Sequence, residues 1–142
     1  MYLADILLLV IRSKGAFLFT KQVMPYLLKH AESDEYPPTL VFTGATAAVK
    51  ANAQMATFAS SKFALRALAQ SFAKEFAPQG VHVAHAIIDG PIDIPGDERR
   101  KGMAKEILIS PDDIAEGYWH LHTQSKRCFT NEIDMRTSLE KW

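Results

Sequence analysis

A single cysteine, Cys128, stands among the 142 residues, so no disulfide can form within the chain. That scarcity suits a reducing interior such as the cytosol. An excess of either charge is missing as well. Sixteen Lys and Arg balance sixteen Asp and Glu, and no net field favours nucleic acid or an anionic membrane. No apolar run is long enough to span a bilayer. The most apolar one, MYLADILLLVI at residues 1–11, is broken by Asp5 and has no basic residue before it or small-residue cleavage site. A buried helix is expected there rather than a signal peptide. The seven glycines form neither a GxxxGxG nor a GxGxxG cluster, which excludes a Gly-rich phosphate turn among these residues. No repeat or low-complexity stretch occurs.

What is present describes an ordinary globular domain. The length suits one domain able to bury around two-thirds of its unfolded surface, and 48% apolar with 23% charged residues is a common balance. Apolar residues from Leu3 to Leu28 recur at helical spacing. Gly15 weakens that helix, and Pro25 is expected to kink or interrupt it. HAESDEYPP reads as a surface loop and TLVFTGA as a short strand ending in a Gly turn. Residues 51–77 carry a strong helical period, with Phe58, Leu65, Leu68, Phe72 and Phe76 on one apolar line and alanines beside it. VHVAHAII, residues 81–88, suits a largely buried strand. DGPIDIPGD is a Pro/Gly loop, and ERRKGMAKE a mobile charged segment or short helix. In SPDD, Ser110 is placed to cap a helix, Pro111 to open it and Asp113 to complete the capping box. That helix should run to about Gln124. CFTNEIDM can form a last strand, with Cys128 a small buried residue at its start. Helices alternating with strands imply an α/β domain with a parallel sheet covered on both faces. Three strands leave exposed edges, and edges recruit partners.

Four segments follow one another in a familiar order: GAFLFTKQVMPYLL, TLVFTGATAA, FASSKFALRALAQSFAKEFAPQGVHVAHAIIDGPID and SPDDIAEGYWHLHTQ. Together they resemble the C-terminal half of a short-chain dehydrogenase/reductase. The closing TNEIDMRTSLEKW is similar to the tail of an uncharacterised branch of that family, in which Phe commonly replaces the catalytic Tyr. The resemblance implies a partial Rossmann-like, doubly wound parallel sheet, with residues 1–142 as one partial domain lacking the Gly-rich half. It also implies an NAD or NADP cofactor across the strand carboxyl ends and a small carbonyl or alcohol substrate, in a cytoplasmic protein.

The family's catalytic set is an Asn, a Ser, a Tyr and a Lys. By resemblance, Arg12 stands at the Asn position, Ala45 at the Ser, Phe58 at the Tyr and Lys62 at the Lys. Thr46 is the only hydroxyl near enough to substitute, although a threonine there more commonly caps a turn. Gly90, Pro91 and Ile92 fall where the family loop contacts the nicotinamide carboxamide. Asp89 and Asp93 flank them and read first as turn residues, and ERRKGMAK occupies the substrate-lid region. Carbonyl reduction needs a proton donor beside the substrate oxygen, and a Lys ammonium tunes a tyrosine for that role. Phenylalanine has no such proton. The chain is therefore expected to be a weak or inactive oxidoreductase, or a pseudoenzyme that associates with itself or a complete relative through helices 15–31 and 52–77.

Plainer readings compete with these. Lys62 can be a solvated helix lysine, and Phe58 a core residue on the Leu65/Phe72 line. His82 and His85 would point to opposite faces of a strand, and His120 and His122 lie about 200° apart on a helix. No metal site is expected.

Overall fold

β1 (Thr39–Thr43), β2 (His82–Asp89) and β3 (Glu132–Arg136) form one parallel sheet in the order β1-β2-β3 in a computed structural model of the chain. The structure describes the backbone of residues 2–32 and 35–141, and side chains from residue 13 onward within those spans. Three helices connect the strands: α1 (Tyr2–His30), α2 (Ala56–Phe76) and α3 (Pro111–His122). β2 is central and buried along most of its length, as its apolar, β-branched sequence requires.

α1 and α2 cover one face of the sheet. Phe42 of β1 and Val83 of β2 meet Met24 of α1 and Ala69, Phe72 and Ala73 of α2 in the main core. Phe72 lies 6.1 Å from Phe17, 6.2 Å from Phe42 and 6.0 Å from Phe76, ring centre to ring centre, spacings at which offset rings attract. α3 lies on the opposite face. His82 of β2 points there, its Nδ1 2.8 Å from the Leu121 carbonyl and its ring stacked 4.3 Å from Phe129. Thr43 and Tyr118 share a 2.8 Å hydroxyl hydrogen bond across the same layer. The sheet is thus covered on both faces, and the α/β architecture is a partial Rossmann-like one.

Several expectations need correction. Pro25 lies inside α1, which continues through it; the packing of α1 on α2 outweighs one lost backbone bond. α2 starts at Ala56, five residues later than its period suggested. α3 ends at His122, but its opening is as expected: the Ser110 hydroxyl accepts from the Asp113 N–H at 3.2 Å, with Pro111 in the first turn. β3 begins at Glu132, so Cys128 precedes the strand and is exposed, not buried. The charged segment contains two short 3₁₀ turns, Glu98–Arg100 and Lys105–Ile107. From residue 2 onward the backbone of the apolar N-terminal run is helical, but the burial expected of its side chains, and the Arg12 side chain, lie outside the described residues. Among the described residues no helix is long and apolar enough to cross a membrane.

Candidate active site

The carboxyl ends of β1 and β2 open onto a cavity of about 180 Å3 whose border includes Ala45, Thr46, Phe58, Asp89 and Glu140. In open α/β sheets ligands bind beyond these strand ends. Ala45 and Thr46 reach it because β1 stops at Thr43 and the chain turns into a 3₁₀ segment, Thr46–Ala48. Phe58 reaches it from the first turn of α2. It lies outside the Leu65/Phe72 core cluster, so the core reading of this ring is corrected. Thr46 caps nothing: its Oγ1 is buried without a hydrogen-bond partner among the described residues.

Lys62 follows Phe58 by one helical turn, on the same face of α2. It is not simply solvated. Its Nζ donates to the Thr43 carbonyl at 2.9 Å and to the Gly44 carbonyl at 3.4 Å, and sits 5.8 Å from the centre of the Phe58 ring. The ammonium is therefore held at the end of β1, with the Phe58 ring beside it.

Gly90, Pro91 and Ile92 continue directly from Asp89 but do not border the cavity. Gly90 turns at φ 133, a conformation that favours glycine. Ile109 then pins the loop: its N–H donates to Pro91 C=O at 2.8 Å and its C=O accepts from Asp93 N–H at 2.9 Å. This parallel bridge turns the N–H and C=O of Ile92 away from Ile109. Asp89 is more than a turn residue, since its carboxylate accepts from Arg136 Nη1 at 2.9 Å.

A second polar group was not foreseen. Directly below the strand ends, the Glu132 carboxylate receives Arg66 at 2.6 and 2.8 Å and stands 3.0 Å from His85 Nδ1. A carboxylate only accepts, so Nδ1 carries the proton and Nε2 is a bare lone pair. That Nε2 is buried without a partner among the described residues, with its ring against Gly44. A Cβ at position 44 would lie 2.2 Å from it. Gly44 is thus required by the histidine, and the histidine sets the height of the turn that carries Ala45 and Thr46. The three partners lie on α2, β2 and β3, up to 66 residues apart, and no local motif announces them.

The electrostatics of this group give a testable pH dependence. Burial holds His85 below the ordinary histidine range, against the opposing pull of Glu132. The Arg66 hydrogen bonds, aided by His85, hold Glu132 below the ordinary carboxylate range. The unfolded chain therefore binds more protons than the folded one at acid pH, and stability falls as pH drops. The His85 contribution is complete above about 6.5 and is lost progressively below it; that of Glu132 is lost below about 4.3. Urea midpoints measured from pH 8 to pH 5 should decline below about 6.5, and His85→Gln should flatten that decline.

Among the described residues no group of three His, Cys, Asp or Glu could hold a metal ion. His82 and His85 do point to opposite faces, one to α3 and the other to Glu132.

Comparison with known proteins agrees with this geometry. Residues 8–102 match the short chain dehydrogenase family. The chain is 23% identical over 129 residues to a 3-oxoacyl-(acyl-carrier-protein) reductase of Thermotoga maritima, covering 84% of this chain and 50% of that one. A short-chain dehydrogenase from Rhodopseudomonas palustris matches with TM-score 0.70 and 32% identity, across 93% of this chain and 51% of that one. An alcohol dehydrogenase from Thermococcus sibiricus, complexed with 5-hydroxy-NADP, shares the fold with TM-score 0.70 at 21% identity, over 89% and 51% of the two chains. The chain thus spans about half the length of the relatives it matches. With its family profile, its sheet and the Phe58–Lys62 helix at the strand ends, this chain belongs to the short-chain dehydrogenase family.

Proposed function

We propose that this chain is the nicotinamide-side portion of an NAD(P)-dependent oxidoreductase, retaining the outline of the site and lacking its proton donor. The single observation that carries this reading is Phe58 on the border of a cavity at the carboxyl ends of β1 and β2, with the Lys62 ammonium 5.8 Å from its ring centre. The residues fit the nicotinamide end of a dinucleotide. Lys62 would supply an ammonium for the ribose and Ile92 backbone groups for a carboxamide, while the Thr46 Oγ1 is buried behind the cavity wall. A bound nicotinamide would supply or accept a hydride. The chain's own residues then determine whether a proton can follow. Phe58 has none to give, and Ala45 cannot hold a substrate oxygen. Thr46 is the remaining hydroxyl at the cavity, without a base to activate it. Loss of a positioned acid lowers a rate by roughly a hundred- to ten-thousandfold, so turnover of a small carbonyl or alcohol should be very slow.

The pyrophosphate and adenylate have no Gly-rich turn to receive them among these residues, so cofactor binding should be weak. Titration of NADH or NADPH into the chain should give saturable binding with Kd between about 0.1 and 1 mM, and Lys62→Met should weaken it. No binding at millimolar cofactor would defeat the reading.

A second reading is an inactive partner, cytoplasmic, that associates with another copy or with a complete relative through helices 15–31 and 52–77. Exposed Phe17, Leu18 and Phe63 on those helices favour it. A clean monomer in light scattering, in isolation and mixed with a complete relative, would contradict it.

A further inference from the structure

Lys62 and Arg66 stand one turn apart on one face of α2, and their side chains reach opposite edges of the sheet. Arg66 reaches β3, where its Nε and Nη2 meet the two Glu132 oxygens at 2.6 and 2.8 Å. Lys62 reaches the end of β1, at the Thr43 and Gly44 carbonyls. Between them Glu132 holds His85 of β2, and the His85 ring lies against Gly44. The contacts form a closed circuit, from Arg66 across β3, β2 and β1 and back to α2 at Lys62.

His85 is fully buried, and its Nε2 has no hydrogen-bond partner among the described residues. A buried polar atom left unpaired destabilises a fold, and an apolar side chain would avoid that loss. What the histidine provides instead is a ring of fixed orientation. Its Nδ1–H is tied to a carboxylate that Arg66 grips at both oxygens, the kind of support that locks a side chain in place. The ring so held bears on Gly44, whose N–H is fixed to the Ala86 carbonyl at 2.6 Å. The Gly44 carbonyl is therefore set at one height, and the Lys62 ammonium with it.

From these contacts we infer that Arg66, Glu132 and His85 are positioning residues for the Lys62 ammonium, acting through the Gly44 turn at the end of β1. Their use in binding rests on the proposed nicotinamide site. The position of Nζ, however, can be measured without a cofactor.

A phenol introduced by Phe58→Tyr is the probe, because its absorbance titration responds to the distance of the Lys62 charge. In that background Lys62→Met gives the value for a phenol with no ammonium beside it. His85→Ala removes a ring that is uncharged at the alkaline pH of the titration, so it acts on the phenol only by moving Lys62. Glu132→Gln is decisive by sign. Losing the carboxylate and unmasking Arg66 would of themselves favour phenolate and lower the phenol further, whereas a displaced Lys62 raises it. Both variants should bring the phenol at least about half of the way to the Lys62→Met value. Leu121→Ala, which opens a cavity in the α3 layer on the other face of the sheet, should leave the phenol in place while it destabilises the chain. A phenol that Glu132→Gln lowers or leaves unmoved would overturn the assignment. So would one that Leu121→Ala moves equally, or that Lys62→Met does not move. A phenol that responds as expected in a chain that binds neither NADH nor reduced nicotinamide mononucleotide would uphold the positioning and defeat the nicotinamide reading.

Discussion

Gly44→Ala should lower the melting temperature of this chain by roughly 6–15 °C, a loss of about 2–3 kcal/mol. The added methyl would lie 2.2 Å from His85 Nε2 and 2.5 Å from Cε1, far inside contact distance. The ring has little room to withdraw, because its Nδ1 is held by Glu132 and Arg66 holds Glu132 in turn. Nor can Gly44 easily retreat, since its N–H is fixed to Ala86. The two positions should therefore be strongly coupled. His85→Ala alone should also destabilise, through a cavity and a lost hydrogen bond. The double variant should fall no further than His85→Ala, because the smaller side chain makes room for the methyl. Thermal unfolding of the four proteins completes the cycle. Additive losses would show that the contact between Gly44 and His85 is not what requires a glycine.

Phe58→Tyr should produce the largest functional change available from a single residue. The new phenol would stand near the Lys62 ammonium, whose Nζ is 5.8 Å from the present ring centre. A neighbouring cation favours phenolate, so this phenol should titrate below the ordinary value of about 10. Absorbance titration against the wild type, with its four native tyrosines, isolates the added group. Lys62→Met in the same background should return it toward the ordinary value. If a nicotinamide binds at this cavity, ketone reduction should rise by about a hundred- to ten-thousandfold over the wild type. Ala45→Ser in addition should help by restoring a hydroxyl toward the substrate oxygen. An unshifted phenol would mean that Lys62 no longer addresses this position.

Much of the frame was legible in the chain because local chemistry determines it. The TLVFT strand, the buried strand after Gly80 and the Ser110 cap each depend on residues adjacent in sequence. Phe58 and Lys62 could be paired on one helix face from their spacing alone. Other features depend on distant partners. Pro25 reads as a helix breaker until α2 packs along α1, and Cys128 reads as buried until β3 proves to start at Glu132. Phe58 fits the periodicity of the core line, yet its place in the first turn of α2 puts it at the cavity. The Arg66–Glu132–His85 group shows no pattern in the sequence, because parallel pairing of β2 with β3 brings residues 47 apart into contact. The use of Gly44 follows from the pairing of β1 with β2: a strand-end glycine looks like a turn residue until a histidine ring occupies the space of its missing side chain.

The most direct measurement compares reduced nicotinamide mononucleotide with NADH and NADPH as ligands of the same chain, by calorimetry and nicotinamide fluorescence. If the chain supplies the nicotinamide side of the site as proposed, without a turn for the pyrophosphate, the mononucleotide should bind within about tenfold of both dinucleotides, and all three should lose affinity in Lys62→Met. A mononucleotide at least about a hundredfold weaker than NADH would contradict this division of the cofactor, and so would a chain that binds none of the three.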